Sequence, residues 1–253
     1  KMKDLYKDWE SFVPMPHYTL LNGALNLASH WPINVLRPDL GPKIYAAQAT
    51  PNDSGNQGTT RLHMDWFDAL NVMMWSLQND DGSPGSALWH MFPTTSVPIL
   101  SDYIFRTRPD VKKGDYNPIL LQSVYLTSSD LQALREQFNV IPWTVEQHVG
   151  EAIFIPAGVP HQVSNTNPSI KMACDFIAPE SIEASFKVAH YFREFRVARP
   201  EQETEELMNL KETLYFAWSF LYGSIRSKMD LTSEELADFN IPSVLVRMGT
   251  QSE

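Results

Sequence analysis

The sequence predicts a mainly β fold, a sandwich or barrel, with flanking helices and a helical C-terminal cap. Three observations predict it. Short β-like runs recur through the first two thirds, parted by clusters of Gly, Pro and Asn. Proline is frequent there (18 residues in the chain), which suits many short strands and few long helices. Beyond residue 178 the pattern changes to helical period with few breakers.

Seven segments read as strands: 42–48, 60–65, 69–77, 86–92, 143–149, 151–156 and 169–178. The stretch "ATPNDSGNQG" (49–58) is turn material and is expected to be a mobile loop, and "NDDGSPGS" (79–86) reads as a hairpin connection. "TSSDLQALREQFNV" (127–140) offers a Ser/Thr cap, an acidic first turn and apolar residues at helical spacing. Two more helices are expected in 179–198 and 201–229; the second has acidic residues early and basic ones late, which complements the helix dipole. The aromatic run "ETLYFAWSFLY" within it reads as core or dimer contact rather than a cofactor site.

Composition narrows the function. With 43% hydrophobic and 20% charged residues, 253 residues can bury a real core. No run of eighteen apolar residues offers a membrane span, and the start lacks a signal peptide's apolar region. It begins with Lys rather than Met, so the chain is expected to be a piece of something longer. The single cysteine, Cys174, excludes a disulfide framework or a cysteine zinc site within this segment and favours an intracellular setting. A net charge of −10 repels phosphates and favours a basic partner such as a Lys/Arg-rich peptide; no direct nucleic acid binding is expected.

The chemistry centres on "TTRLHMDWFDALNVMMW" (59–75). A strand sends residues i and i+2 to one face, so His63 and Asp65 are expected to point together. Imidazole plus carboxylate with open cis positions suits ferrous iron, and a distant His completes the facial triad of non-haem oxygenases. "GEAIFIPAGVPHQVSN" (150–165) supplies one, His161, after a Pro/Gly turn that fixes its approach. Of the other histidines, His17, His30 and His190 lack partners at ligand spacing, His90 is expected to face away from its neighbour Trp89, and His148 is expected to reach solvent.

These two stretches, with "GSALWHMF" and "IKMACDFIAPESI", occur in an order that resembles the Jumonji-C (JmjC) oxygenases, most of all the lysine-specific demethylase 3 group acting on histone H3 lysine 9. "LNLASHWPINVLRPDLGPKIY" (25–45) is similar to the segment leading into that group's catalytic domain. The resemblance runs from about residue 14 to about residue 195. It implies a double-stranded β-helix (a cupin-like jelly roll), with 1–195 as catalytic domain and 196–253 as a helical extension packed on it. It also implies Fe(II), 2-oxoglutarate and O₂, and a nuclear location. His63, Asp65 and His161 match the iron ligands. The implied reaction hydroxylates an N-methyl group of mono- or dimethyl-lysine in a basic histone tail and releases formaldehyde. Protein or RNA hydroxylation by the same chemistry, and a weakly active chromatin-binding scaffold, are the alternatives.

The far carboxylate of 2-oxoglutarate needs a buried cation or several donors. Many JmjC enzymes place a Lys on the strand after the His-x-Asp strand, where this chain has Ala87. Alternation in "SIKMACDF" sets Ile170, Met172, Cys174 and Phe176 on one apolar face, expected to pack outward on helices, and turns Lys171 inward as the replacement. Otherwise Lys171 would pair with Asp175 at the surface. By resemblance Thr60 matches a carboxylate-binding Thr, while Asn71 and Asn165 match polar positions near the cosubstrate and the distal ligand. Trp89 is expected to wall the cavity and Tyr45 to contact substrate.

Overall fold

The computed structural model describes residues 2–50, 60–114, 116–200 and 209–229. The expected loop at 49–58 lies mostly outside them. The chain forms two compact units, one from 41–175 with 184–204, the other from 1–40, 176–183 and 205–253.

The first unit holds eight strands: β1 (Lys43–Ala47), β2 (Thr60–His63), β3 (Asp68–Ser76), β4 (Ala87–Met91), β5 (Trp143–Gln147), β6 (Ala152–Ile155), β7 (His161–Asn165) and β8 (Ser169–Phe176). They make two four-stranded sheets, ordered β1-β8-β3-β6 and β2-β7-β4-β5. β1/β8, β2/β7, β3/β6, β4/β5 and β4/β7 pair antiparallel. Two antiparallel sheets face to face with flanking helices are the expected jelly roll. The segment 79–86 is not a hairpin connection, because it carries the chain from β3 in one sheet to β4 in the other.

Seven strands fall where alternation expects them. β7 does not, because "HQVSN" has no apolar alternation to announce it. All five residues are nevertheless buried, since the strand lies between β2 and β4. Gln162 shows how such a strand is tolerated: its side chain accepts from Leu126 N–H and donates to Leu126 C=O, both at 2.8 Å. The outward apolar set on β8 is covered at Cys174 and Phe176 but not at its start. Ile170 is 40% exposed and Met172 only half-buried, whereas Lys171 is buried.

Helices α3 (Val97–Thr107), α4 (Ser128–Phe138) and α5 (Ile182–Ala198) supply a second core behind the β2-containing sheet. Leu62, facing away from the cavity, packs there with Phe92, Leu100, Ile104, Leu134 and Phe195. α4 starts as expected, with Thr127 and Asp130 forming a reciprocal capping box. α3 escapes sequence reading because Pro98 looks like a breaker. It sits in the first turn, where its missing N–H costs nothing.

In the second unit, α1 (Met2–Phe12) buries Trp9, and α2 is a single turn (Pro16–Thr19). In α6 (Leu210–Met229) Leu214 and Ala217 are buried while Tyr215 and Phe220 stay exposed. Thr213 there accepts from Trp31 Nε1–H at 2.9 Å.

One glycine ties the first unit together near the cavity. Gly158 has φ +74°, its N–H donates to Asp65 C=O at 3.0 Å, and an added Cβ would come within 2.8 Å of Val188 Cγ2. Gly158→Ala is expected to destabilise by about 1–3 kcal/mol through left-handed strain and crowding. Urea unfolding checks it; an unchanged midpoint contradicts the account.

Candidate metal centre and cosubstrate cavity

The site begins with the register of β2 against β7. His63 stands opposite His161, and Thr60 opposite Val163. Three steps along β2 thus match two along β7, so β2 carries a bulge of one extra residue. In a regular strand residues three apart face opposite ways, but the bulge restores Thr60 to the face of His63, His161 and Val163. β4 continues this face, with Met91 opposite His161, Trp89 opposite Val163 and Ala87 opposite Asn165.

Asp65 is not on the strand, which ends at His63. Its convergence with His63 therefore does not come from alternation. It comes from stitching of the following turn: Gly158 N–H holds Asp65 C=O, and the buried Asp68 accepts from Ala157 N–H at 2.9 Å.

Both imidazoles are oriented from behind. His63 Nδ1 lies 2.8 Å from Arg61 C=O, and His161 Nδ1 lies 2.9 Å from Val159 C=O. A carbonyl only accepts, so each Nδ1 carries the hydrogen and each Nε2 keeps its lone pair. Those lone pairs converge on Asp65, with His63 Nε2 at 3.7 Å from Oδ1 and His161 Nε2 at 3.7 Å from Oδ2. That is too long for hydrogen bonds. It is close to the 3–3.5 Å expected of donors each about 2.1 Å from one ion. The three ligand atoms lie within 4.8 Å of one another, a group that could hold a metal ion.

Electrostatics favour the ligand forms. Burial raises the Asp65 carboxyl, but His161, His63 and Lys43 outweigh it and leave it below the usual range. Burial first, and then His63, push the His161 imidazole down to about 4, against the pull of Asp65. The His161 imidazole is therefore held in its neutral form and Asp65 in its carboxylate form, as metal ligands need.

At Asn165, four residues further along β7, lies a buried cation. Lys171 Nζ donates to Asn165 Oδ1 at 2.6 Å and sits 5.7 Å from the Trp89 ring centroid. Burial pushes its ammonium down to about 8, and among the described residues no carboxylate reaches it. The surface Lys171–Asp175 pair is ruled out, since Asp175 instead takes Lys43 Nζ on both oxygens, at 2.7 and 2.8 Å. Asn165 is the register partner of Ala87, so the ammonium arrives from the opposite sheet beside the position that lacks a lysine. Tyr45, opposite Lys171 on β1, is 45% exposed.

Sequence reading missed Gln147. Fully buried, it accepts from Trp89 Nε1–H at 2.9 Å and donates to the carbonyls of Asn71 and Glu151, each at 3.1 Å. It fixes the indole and joins the two sheets at Asn71. Its signal was present: Trp143, Val145 and Gln147 alternate, so a polar side chain had to face inward. The remaining histidines stay out of the centre; His90, for example, pairs in register with Gln162 and Thr144 and faces the other way.

Gln147→Leu should leave the Trp89 N–H without its acceptor and take one hydrogen bond from each of the Asn71 and Glu151 carbonyls, at a cost of about 1–3 kcal/mol. Denaturant unfolding measures the loss, and tryptophan emission should shift as the indole is freed. A neutral substitution would mean that the tie is dispensable.

Residues 59–176 match the family model described as "JmjC domain, hydroxylase". Over 250 residues the chain is 32% identical to Lysine-specific demethylase 3A of Homo sapiens, covering 85% of this chain and 19% of that protein. It is 33% identical over 248 residues to Lysine-specific demethylase 3 of Drosophila melanogaster, covering 84% of this chain and 28% of that one. The chain thus spans less than a third of the length of these relatives. A jelly roll that brings His63, Asp65 and His161 together agrees with that match: residues 59–176 belong to the JmjC family, and most of the chain is similar to the lysine-specific demethylase 3 proteins.

Proposed function

We propose that the domain is an Fe(II)- and 2-oxoglutarate-dependent oxygenase that demethylates mono- or dimethyl-lysine in a basic histone tail, in the nucleus. One observation carries the reading: an open two-histidine, one-carboxylate set at one level of the cavity and an unpaired buried ammonium at another. Two imidazoles and a carboxylate on one side of an ion fit ferrous iron with open positions. The ammonium fits the far end of a dianion.

In this reading His63, Asp65 and His161 hold the metal. Lys171 neutralises the far carboxylate, Thr60 and Asn165 offer it further polar contacts, and Asn71 and Trp89 wall the cavity. Iron with 2-oxoglutarate and O₂ supplies the oxidising power for hydroxylation at the methyl carbon. The protein's own part is to orient the imidazoles, exclude water behind Trp89 and Val163, and present the open side to a methylated ammonium. The net charge of −10 attracts a basic tail.

Anaerobic titration with Fe(II) and 2-oxoglutarate should give a metal-to-ligand charge-transfer band, and methyl-lysine histone peptides should lose one CH₂ per methyl with release of formaldehyde. His161→Ala should abolish both while leaving the fold intact. Iron-dependent decarboxylation of 2-oxoglutarate surviving in His161→Ala would refute the ligand assignment. A stable hydroxylated product without formaldehyde would replace demethylation by hydroxylation.

Lys171 gives a separate test. Lys171→Ala and Lys171→Met should each raise the 2-oxoglutarate requirement on the order of a hundredfold with iron binding retained, because the buried carboxylate loses its counter-charge. In the unmodified protein the ammonium, held near 8, is the form that binds. Affinity should therefore be full below that value and fall as pH rises through it, a dependence that Lys171→Met should lose. Unchanged affinity in both variants would remove Lys171 from the site.

A further inference from the structure

Away from the metal centre, a cleft of about 710 Å³ opens between Lys112, Lys113, Gly114 and Tyr116 on one side and the last turns of α5 on the other. Lys112 and Lys113 line one side, Arg193 and Arg199 the other. The lining carboxylate among the described residues is Glu194, already held by His190 Nε2 at 3.1 Å. Lys112, Lys113 and Arg193 make no ion pair among the described residues. Arg106 and Arg108 close by show the usual alternative, each bound to an aspartate (Asp102 and Asp130). A chain with ten more acidic than basic residues has therefore gathered three cations without an ion pair among the described residues, and Arg199 with partners of its own, around one concavity.

The cleft is braced. Buried Tyr116 donates its O–H to Lys112 C=O and receives Arg199 Nη1–H at 3.1 Å, while the guanidinium covers its ring at 5.5 Å. Tyr116 also packs edge-on against Phe195 of α5, at 5.5 Å. The dipole at the C-terminus of α5 draws basic residues and accounts for Arg196 and Arg199. It does not account for Arg193, more than a turn earlier, or for two lysines on another element.

We propose that this cleft binds the phosphodiester backbone of DNA, with Lys112 and Lys113 on one side of a strand and Arg193 and Arg199 on the other. Phosphate oxygens suit guanidinium forks and ammonium groups alike, and a groove walled by cations from two elements can straddle one chain of phosphates. The choice of DNA among polyanions rests on the histone reading above, since a histone tail leaves its core beside wrapped DNA. The expectation of no nucleic acid contact considered net charge alone, which does not see a local reversal of sign.

A short fluorescent duplex titrated with the whole chain tests this without any catalytic step. Binding should weaken steeply with salt, with a log–log slope of about −2 to −4 for up to four neutralised phosphates. Lys112→Glu with Lys113→Glu, and separately Arg193→Gln, should weaken binding about tenfold or more and flatten the slope. Both variants should keep the charge-transfer band and turnover on free peptide, which also reports that they fold. No duplex binding at low salt, binding insensitive to these substitutions, or equal binding of an acidic peptide would overturn the proposal. Peptide demethylation without DNA binding would sink this inference alone, whereas DNA binding through the cleft without demethylation would sink only the enzyme reading.

Discussion

The site depends on the pairing of β2 with β7. Setting His63 opposite His161 brings two imidazoles to ring centroids 4.1 Å apart, a separation that packing alone would not select. The pairing works because β7 is central and polar, with its side chains satisfied by fixed backbone partners. The bulge in β2 adds the second condition, since without it Thr60 would face the helical core beside Leu62. Asp65 then arrives through the turn that Gly158 and Asp68 hold. Three ligand atoms thus come within 4.8 Å of one another, a group that could hold a metal ion.

Lys171 makes the same point with charge. Burying an ammonium without a carboxylate costs several kcal/mol, offset in part here by Asn165 and by the face of Trp89. Trp89 is in turn fixed by Gln147, which reaches across to β3. The polar groups inside the jelly roll form one connected set: Lys171 to Asn165, Lys171 over Trp89, Trp89 to Gln147, Gln147 to Asn71. A fold selected only for stability would replace Lys171 by an apolar residue. Keeping it is sensible where an anion comes and goes.

Much of this was legible from residues alone, for reasons that can be stated. Alternation turned Lys171 inward because β8 is a regular strand, and the Thr127 cap was readable because a capping box is local. The features that were not legible depend on partners. β7 carries no apolar pattern because its neighbours, not its composition, bury it. The bulge exists only relative to β7, so no reading of β2 alone finds it. Asp65 was placed correctly beside His63 for an incorrect reason, since the strand stops short of it. The link 79–86 looks like a hairpin because turn residues report a reversal and not which sheet receives the chain. Ile170 was assigned to a packed face because apolar residues usually find cover; that face is covered at Cys174 and Phe176 and opens only toward Ile170.

Ala87 and Lys171 show why a motif position is a poor unit of comparison. Ala87 faces the cavity on β4 with no exposed surface, and in sequence it reads as a missing cation. In space its neighbours are Asn165 on β7 and Gln147 on β5, and Asn165 already holds the Lys171 ammonium. A lysine side chain spans the distance between facing sheets, so either sheet can deliver a charge to that point. A second lysine at 87 would set two ammonium groups around one asparagine, and like charges at such range in a buried cavity repel strongly. The small side chain at 87 is therefore the complement of Lys171. Under the proposed function one cation at that place suffices, and either sheet can supply it.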